Sequence, residues 1–193
     1  MDLTEGTLEE KNNRAKKMML WFGIGSLFMS FAGLTSAVIV SSKRPDWLTD
    51  FELPEAFIFS TVIIVLSSIS FILAKRALKK EKRQETTIWL FVTLTLGIAF
   101  IYSQITGFKQ IIEAGYNFTG PTSNVTMSFI YVIAVLHILH VLAGLISLIV
   151  VIYNHFKQKY NALKMLGLEL SATFWHFVDL LWLFLFLFLC FFR

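Results

Sequence analysis

Five runs of apolar residues divide the chain, at about residues 18–40, 56–74, 87–108, 127–153 and 170–192. Each is close to or longer than the roughly 20 residues an α-helix needs to cross the hydrocarbon of a bilayer. The fourth is long enough to cross at a tilt. The polar stretches between them are short, and no internal repeat or low-complexity linker interrupts the series. The pattern predicts an all-α integral membrane protein. Residues 1–17 form a polar N-terminal tail, and residues 18–193 form one bundle of five transmembrane helices.

Composition agrees with that pattern. Of 193 residues, 56% are hydrophobic and only 16% charged, with a mean hydropathy of +0.68; soluble domains carry about a quarter charged residues. The polar start and the length of the first apolar run are unlike a cleaved signal peptide.

Lys and Arg are unevenly shared between the two sides. The tail carries Lys11, Arg14, Lys16 and Lys17, and the second connection carries Lys75, Arg76, Lys79, Lys80, Lys82 and Arg83. The fourth connection adds Lys157, Lys159 and Lys164, making thirteen on one side, against Lys43, Arg44, Lys109 and Arg193 on the other. The excess of basic residues on cytoplasmic loops predicts a cytoplasmic N-terminus and a periplasmic C-terminus. The net charge of +4 is therefore mainly a topology signal. The basic run at 75–83 reads as a juxtamembrane cluster, not a nucleic-acid surface. Cys190 is the single cysteine, which excludes an internal disulfide and a thiolate metal site.

Polar groups at membrane depth are costly and each calls for an explanation. His137 and His140 stand three apart on the fourth helix, and His176 and Asp179 have the same spacing on the fifth. Gln104 lies in the third helix. These faces are expected to point into the bundle or toward a partner. Two axial imidazoles on one haem must meet at one depth. At about 1.5 Å per residue, His140 lies roughly 20 Å from the basic end of its helix and His176 about 9 Å, which disfavours a haem bridging the two helices. Hydrogen-bonded structural histidines are the simpler expectation, with His176 and Asp179 close enough to satisfy one another in hydrocarbon. The first, third and fourth helices carry no acid within their cores, and no helix is broken by paired Gly and Pro. A transport path through this chain is therefore poorly supported.

The C-terminal half resembles a known family. Trp175-His176-Phe177-Val178-Asp179, followed by Leu180-Leu181-Trp182, is similar to the closing helix of subunit III of haem-copper terminal oxidases. Glu169 stands seven residues before His176, where that family also places an acid. His137-Ile138-Leu139-His140-Val141 with Gly144 and Leu145 resembles the family's paired-histidine helix. The stretch from Thr95 through Leu96, Gly97, Ile98 and Ala99 to Phe100, with Gln104 beyond it, resembles the helix before. Ser60-Thr61, Ser67-Ser68 and Ala74 fit more loosely. The likeness runs from about Leu53 to Phe192, and five helices correspond to the short bacterial form.

This resemblance implies a non-catalytic subunit in a bacterial inner (cytoplasmic) membrane. Haem and copper would belong to partner subunits I and II, with no cofactor or metal in this chain. The subunit would pack on subunit I, bind phospholipid between its helices, and sustain proton uptake and stability of the oxygen-reducing pump. By position, His137, His140, Glu169, Trp175, His176, Asp179, Trp182 and Gln104 become structural and lipid-cleft candidates. Two departures matter. No acid occurs between residues 18 and 40, where the family places one beside a serine, and Gly107 stands where an acid is common after Gln104. Roles attached to those carboxylates do not carry over.

A cytochrome c oxidase is the favoured parent complex, with a quinol-oxidising terminal oxidase the nearest alternative. From other classes come a haem-binding membrane-anchor cytochrome b and, third, a stand-alone transporter. Membership in a larger assembly with a quinol:cytochrome c reductase is compatible with the family, but no residue here argues for it.

Overall fold

The computed structural model describes residues 6–48, 53–118, 124–161 and 164–191. Its elements are five α-helices: α1 (Leu8–Ser41), α2 (Glu55–Lys79), α3 (Arg83–Glu113), α4 (Val125–Phe156) and α5 (Leu166–Phe191). All five are long and apolar enough to cross a membrane. In hydrocarbon no water can satisfy a backbone N–H or C=O, and a continuous helix satisfies them within the segment.

Each helix runs beyond its apolar run, because backbone hydrogen bonding continues into the polar flank until a cap ends it. The clearest case is α1, which begins ten residues before residue 18 and takes in most of the polar tail. Thr7 Oγ1 accepts from Glu10 N at 3.3 Å while Thr7 N donates to Glu10 Oε2 at 2.8 Å. This reciprocal capping box fixes the start of the helix. Asn124 caps α4 with its side chain alone, its Oδ1 accepting from Thr126 N at 2.9 Å. Beyond α3 the chain reverses at Gly115, whose φ of +88° favours glycine.

Helices α2 and α3 pack as a hairpin. Helix α3 also meets α4, α4 meets α5, and α5 returns to α2, which closes a ring of four. Helix α1 stands outside the ring, packed only on α4 and α5 among the described residues. The large side chains at the centre are Trp175, Trp182, Phe57, Phe71 and Phe100, each at most 1% exposed. The outer faces carry Phe59 and Leu66 on α2, Leu139 and Ile146 on α4, and Leu180 and Phe184 on α5, all exposed. Apolar side chains facing outward are the normal surface of a bundle whose solvent is lipid.

The basic connections meet at one end of the bundle. Arg83 Nη2 donates to Tyr160 O at 3.4 Å, and Lys164 Nζ lies 3.6 Å from Glu9 Oε1. At this end burial pushes the Tyr160 phenol up from its ordinary value. The opposite end joins the loop after α1 to the start of α4, with Leu48 N donating to Thr126 Oγ1 at 2.9 Å. Asn124 Nδ2 donates to Asp46 O at 3.3 Å. Arg193 lies outside the described residues.

Candidate functional site

Between residues 56 and 74, helix α2 is apolar apart from a row of hydroxyls at Ser60, Thr61, Ser67, Ser68 and Ser70. Side chains three, four and seven apart share a helix face, so this row forms one seam. Ser60, Ser67, Ser70 and Thr61 first bond back to carbonyls of their own helix; Ser60 and Thr61 donate to Phe57 O at 2.9 and 2.7 Å. With its hydrogen so directed, each oxygen is left to accept from a neighbouring helix.

The indoles of α5 use these acceptors. Trp175 Nε1 donates to Ser67 Oγ and Trp182 Nε1 to Thr61 Oγ1, each at 3.0 Å. The two tryptophans are two turns apart, and their acceptors run in the opposite sense along α2. Gln104 of α3 donates from Nε2 to Ser60 Oγ at 2.8 Å, and its Oε1 is buried without a partner. Ser70 and Thr93 share a hydrogen bond at 2.7 Å. A bond of this kind between membrane helices contributes about 0.6 kcal/mol on average.

Trp175 is held from both sides. A Cβ added at Gly97 would lie 2.7 Å from Trp175 Cη2, and one at Gly144 would lie 3.0 Å from Trp175 Cε3. Both glycines let α3 and α4 close onto the indole that α2 anchors. Gly107 serves Phe57 in the same way: a Cβ there would collide with the Phe57 ring. The absence of an acid at this position thus has a steric reason in this chain.

The histidines part company. His137 is fully buried with neither ring nitrogen hydrogen-bonded. Its ring lies 5.0 Å from that of Trp182 and 5.9 Å from that of Phe100. His140 is half-buried and donates from Nδ1 to Leu136 O at 2.7 Å. Phe31 of α1 packs edge-on against both imidazoles, at 6.4 and 5.7 Å. On α5, His176 Nδ1 is 2.5 Å from Ser68 Oγ.

The direct His176–Asp179 pair expected from the one-turn spacing does not form. Both side chains turn toward α2 instead of along their own helix. Asp179 is 5% exposed, and neither carboxyl oxygen has a hydrogen-bond partner. The hydroxyls of Ser68 and Ser67 lie beside it. Nearer the basic end, Glu169 Oε1 meets Lys75 Nζ at 3.4 Å, with each side chain about a third exposed. Among the described residues, no three His, Cys, Asp or Glu side chains converge as a metal site would require.

Sequence reasoning did not single out Ser70–Thr93, Ser147–Ser171 (3.0 Å) or Thr87–His155 (3.0 Å). The available signal was hydroxyls recurring on one face of an otherwise apolar helix.

The family model for cytochrome c oxidase subunit III matches residues 16–193. The chain belongs to the cytochrome c oxidase subunit III family. The cytochrome c oxidase subunit 3 of Alkalihalophilus pseudofirmus is 29% identical over 183 residues, covering 93% of this chain and 86% of the relative. The cytochrome bo(3) ubiquinol oxidase subunit 3 of Pseudomonas aeruginosa is 31% identical over 151 residues, 77% of this chain and 70% of the relative. A probable quinol oxidase subunit 3 of Staphylococcus aureus is 29% identical over 178 residues, 88% of this chain and 85% of the relative. The chain is thus a multi-pass membrane protein and a subunit III of a haem-copper oxidase, of the cytochrome c or the quinol type, and its partners are other oxidase subunits.

Proposed function

We propose that the chain is the non-catalytic subunit III of an aerobic cytochrome c oxidase. It packs on subunit I, binds phospholipid, and supports proton uptake and the stability of the oxygen-reducing pump. Haem and copper reside in subunits I and II. The observation that carries this reading is the fate of the polar side chains. Trp175, Trp182, Gln104 and His176 all direct a polar atom to hydroxyls of α2. The polar groups of the seam thus bind the helices to one another, as suits a structural subunit.

The thirteen basic residues of one side support a cytoplasmic position for that end, in a bacterial inner membrane, by the positive-inside rule. The first helix, outside the ring and lined with exposed Met18, Met19, Trp21 and Phe22, has apolar surface available for lipid or a partner helix. The quinol-oxidising alternative draws its support from the Pseudomonas aeruginosa relative, and the two donors are discriminated by companion subunits, not by this chain.

The test is affinity purification of the chain in mild detergent, followed by optical spectra and oxygen-uptake assays with reduced cytochrome c and with a quinol. A colourless chain alone, together with a haem-containing complex oxidising cytochrome c, is the expected result. Oxidation of quinol alone moves the assignment to the quinol branch. Haem on the isolated chain would overturn the non-catalytic reading in favour of an anchor cytochrome.

A further inference from the structure

The buried groups without a hydrogen-bond partner include Gln104 Oε1, both ring nitrogens of His137 and both carboxyl oxygens of Asp179. The first two are neutral, and His137 is enclosed by aromatic rings. Asp179 differs. A carboxylate without a donor in hydrocarbon would be an isolated buried charge, which is costly enough that the group takes up a proton instead. The neutral acid then carries an O–H that itself needs an acceptor.

Two hydroxyls are beside it. Ser67 Oγ donates to Ile64 O at 2.7 Å and accepts from Trp175 Nε1 at 3.0 Å, which leaves it a lone pair but no proton to pass on. Ser68 Oγ, beside the carboxyl, lies 2.5 Å from His176 Nδ1. If Ser68 donates to Nδ1, its lone pairs are open to Asp179.

We propose that Asp179, Ser68 and His176 form a proton-holding triad inside the membrane, in which the Asp179 acid donates to Ser68 and Ser68 donates to His176. The expected pair is thereby joined through a hydroxyl from another helix. The proton can move along it. The Asp179 O–H breaks, Ser68 Oγ gains that proton and passes its own to Nδ1, and an aspartate and an imidazolium result with the proton count unchanged. Loss of the Nε2 proton to water at the basic end then empties the site by one proton, and the reverse sequence fills it.

His176 is half-buried, which suits the exchanging member. The groups bearing on the triad are few. Helix α2 supplies Lys75 and α5 supplies Glu169, which pair with each other at 3.4 Å. Helix α4 carries His137 and His140, and α1 has no titratable residue between 18 and 40. Helix α3 meets α5 at Trp175 and Trp182 through Gly97 and Phe100, and carries no titratable residue between 86 and 101. The site lies wholly on this chain and does not depend on the oxidase assignment.

The chain has four aspartates, and among the described residues Asp179 is the one that lies in a membrane helix. The full chain carrying carbon-13-labelled aspartate is placed in lipid nanodiscs and examined by infrared spectroscopy near neutral pH. The expected spectrum contains the labelled carbonyl band of a protonated acid, absent in Asp179→Asn. In Ser68→Ala the band persists at higher frequency, and its exchange in deuterium oxide slows by about tenfold, the scale of one lost hydrogen bond. A labelled spectrum with only carboxylate bands overturns the proposal. So does an acid band whose frequency and exchange are the same in Ser68→Ala. The comparison of wild type with Ser68→Ala decides the question even where Asp179→Asn does not fold.

Discussion

Replacing Gly97 by alanine tests the packing around Trp175 most directly, because two opposing effects can be separated. Alanine in a helix interior is favoured over glycine by up to about 1 kcal/mol. At Gly25 of α1 an added Cβ meets nothing within 4 Å, so Gly25→Ala should leave stability unchanged or raise it by up to about 1 kcal/mol. At Gly97 the same methyl lies 2.7 Å from Trp175 Cη2 and 2.8 Å from Leu145 Cδ2, where ordinary contact begins at 3.4 Å. Leu145 can rotate away. The indole cannot, with Nε1 on Ser67 and its opposite edge against Gly144. Overpacking of this kind costs about 1–3 kcal/mol. Set against the helix-propensity gain, the net loss is about 0–2 kcal/mol, at most roughly a 30-fold smaller folding equilibrium constant, and Gly97→Ala should lie about 1–3 kcal/mol below Gly25→Ala. The assay is unfolding of the full chain in mixed micelles, followed by helical circular dichroism, with both variants beside the wild type. Trp175→Phe removes the atoms that clash, so the double variant with Gly97→Ala should be more stable than the two single effects sum to, by about 0.5 kcal/mol or more. Equal stability of Gly97→Ala and Gly25→Ala would refute the wedge at Trp175.

Other expectations follow from the same contacts. Thr61→Val removes the acceptor of Trp182 Nε1 and should cost about 0.6 kcal/mol, up to about 1.7, measured by the same unfolding assay. Gly107→Ala should destabilise by about 1–3 kcal/mol, with Phe57→Leu restoring part of the loss, since the Phe57 ring is what the new methyl strikes. Lys75→Gln and Glu169→Gln should each cost under about 1 kcal/mol, less still in high salt, and exchanging the two charges should restore most of it. At the opposite end, the Arg44 guanidinium bonds Asp46 at 2.8 and 3.0 Å and holds its carboxyl below the ordinary value of 3.8. A depressed carboxyl keeps its pair above that value and loses it as pH falls through the lowered one. A carboxyl NMR titration should therefore show Asp46 protonating in stronger acid than an unpaired aspartate, and Arg44→Gln should return it toward 3.8.

How much of this was legible in the sequence differs by layer. The helices were legible because the bilayer forces every spanning segment to be apolar and long, so hydropathy alone located all five. Their ends were not, because capping obeys local chemistry: Thr7 and Glu10 extend α1 well into residues that hydropathy assigns to a tail. At the site, Gly97, Gly144, Trp175 and His176 lie in the recognisable stretches, yet their partners do not follow from spacing. A one-turn interval made His176 and Asp179 neighbours on one face, but a helix face says nothing of the rotamer. The closer partner came from α2, more than 100 residues away in the chain.

The position of α1 has a consequence for how the protein is made. It leaves the ribosome before the other four helices described, and among the described residues it packs only on α4 and α5. Translation at about 5–20 residues per second separates Ser41 from Val125, the start of α4, by roughly 4–17 seconds. Through that interval α2 and α3 can already form their hairpin, while α1 waits in the bilayer without a mate from its own chain. During biogenesis it is therefore the segment most open to capture by an insertion factor or by another subunit assembling alongside.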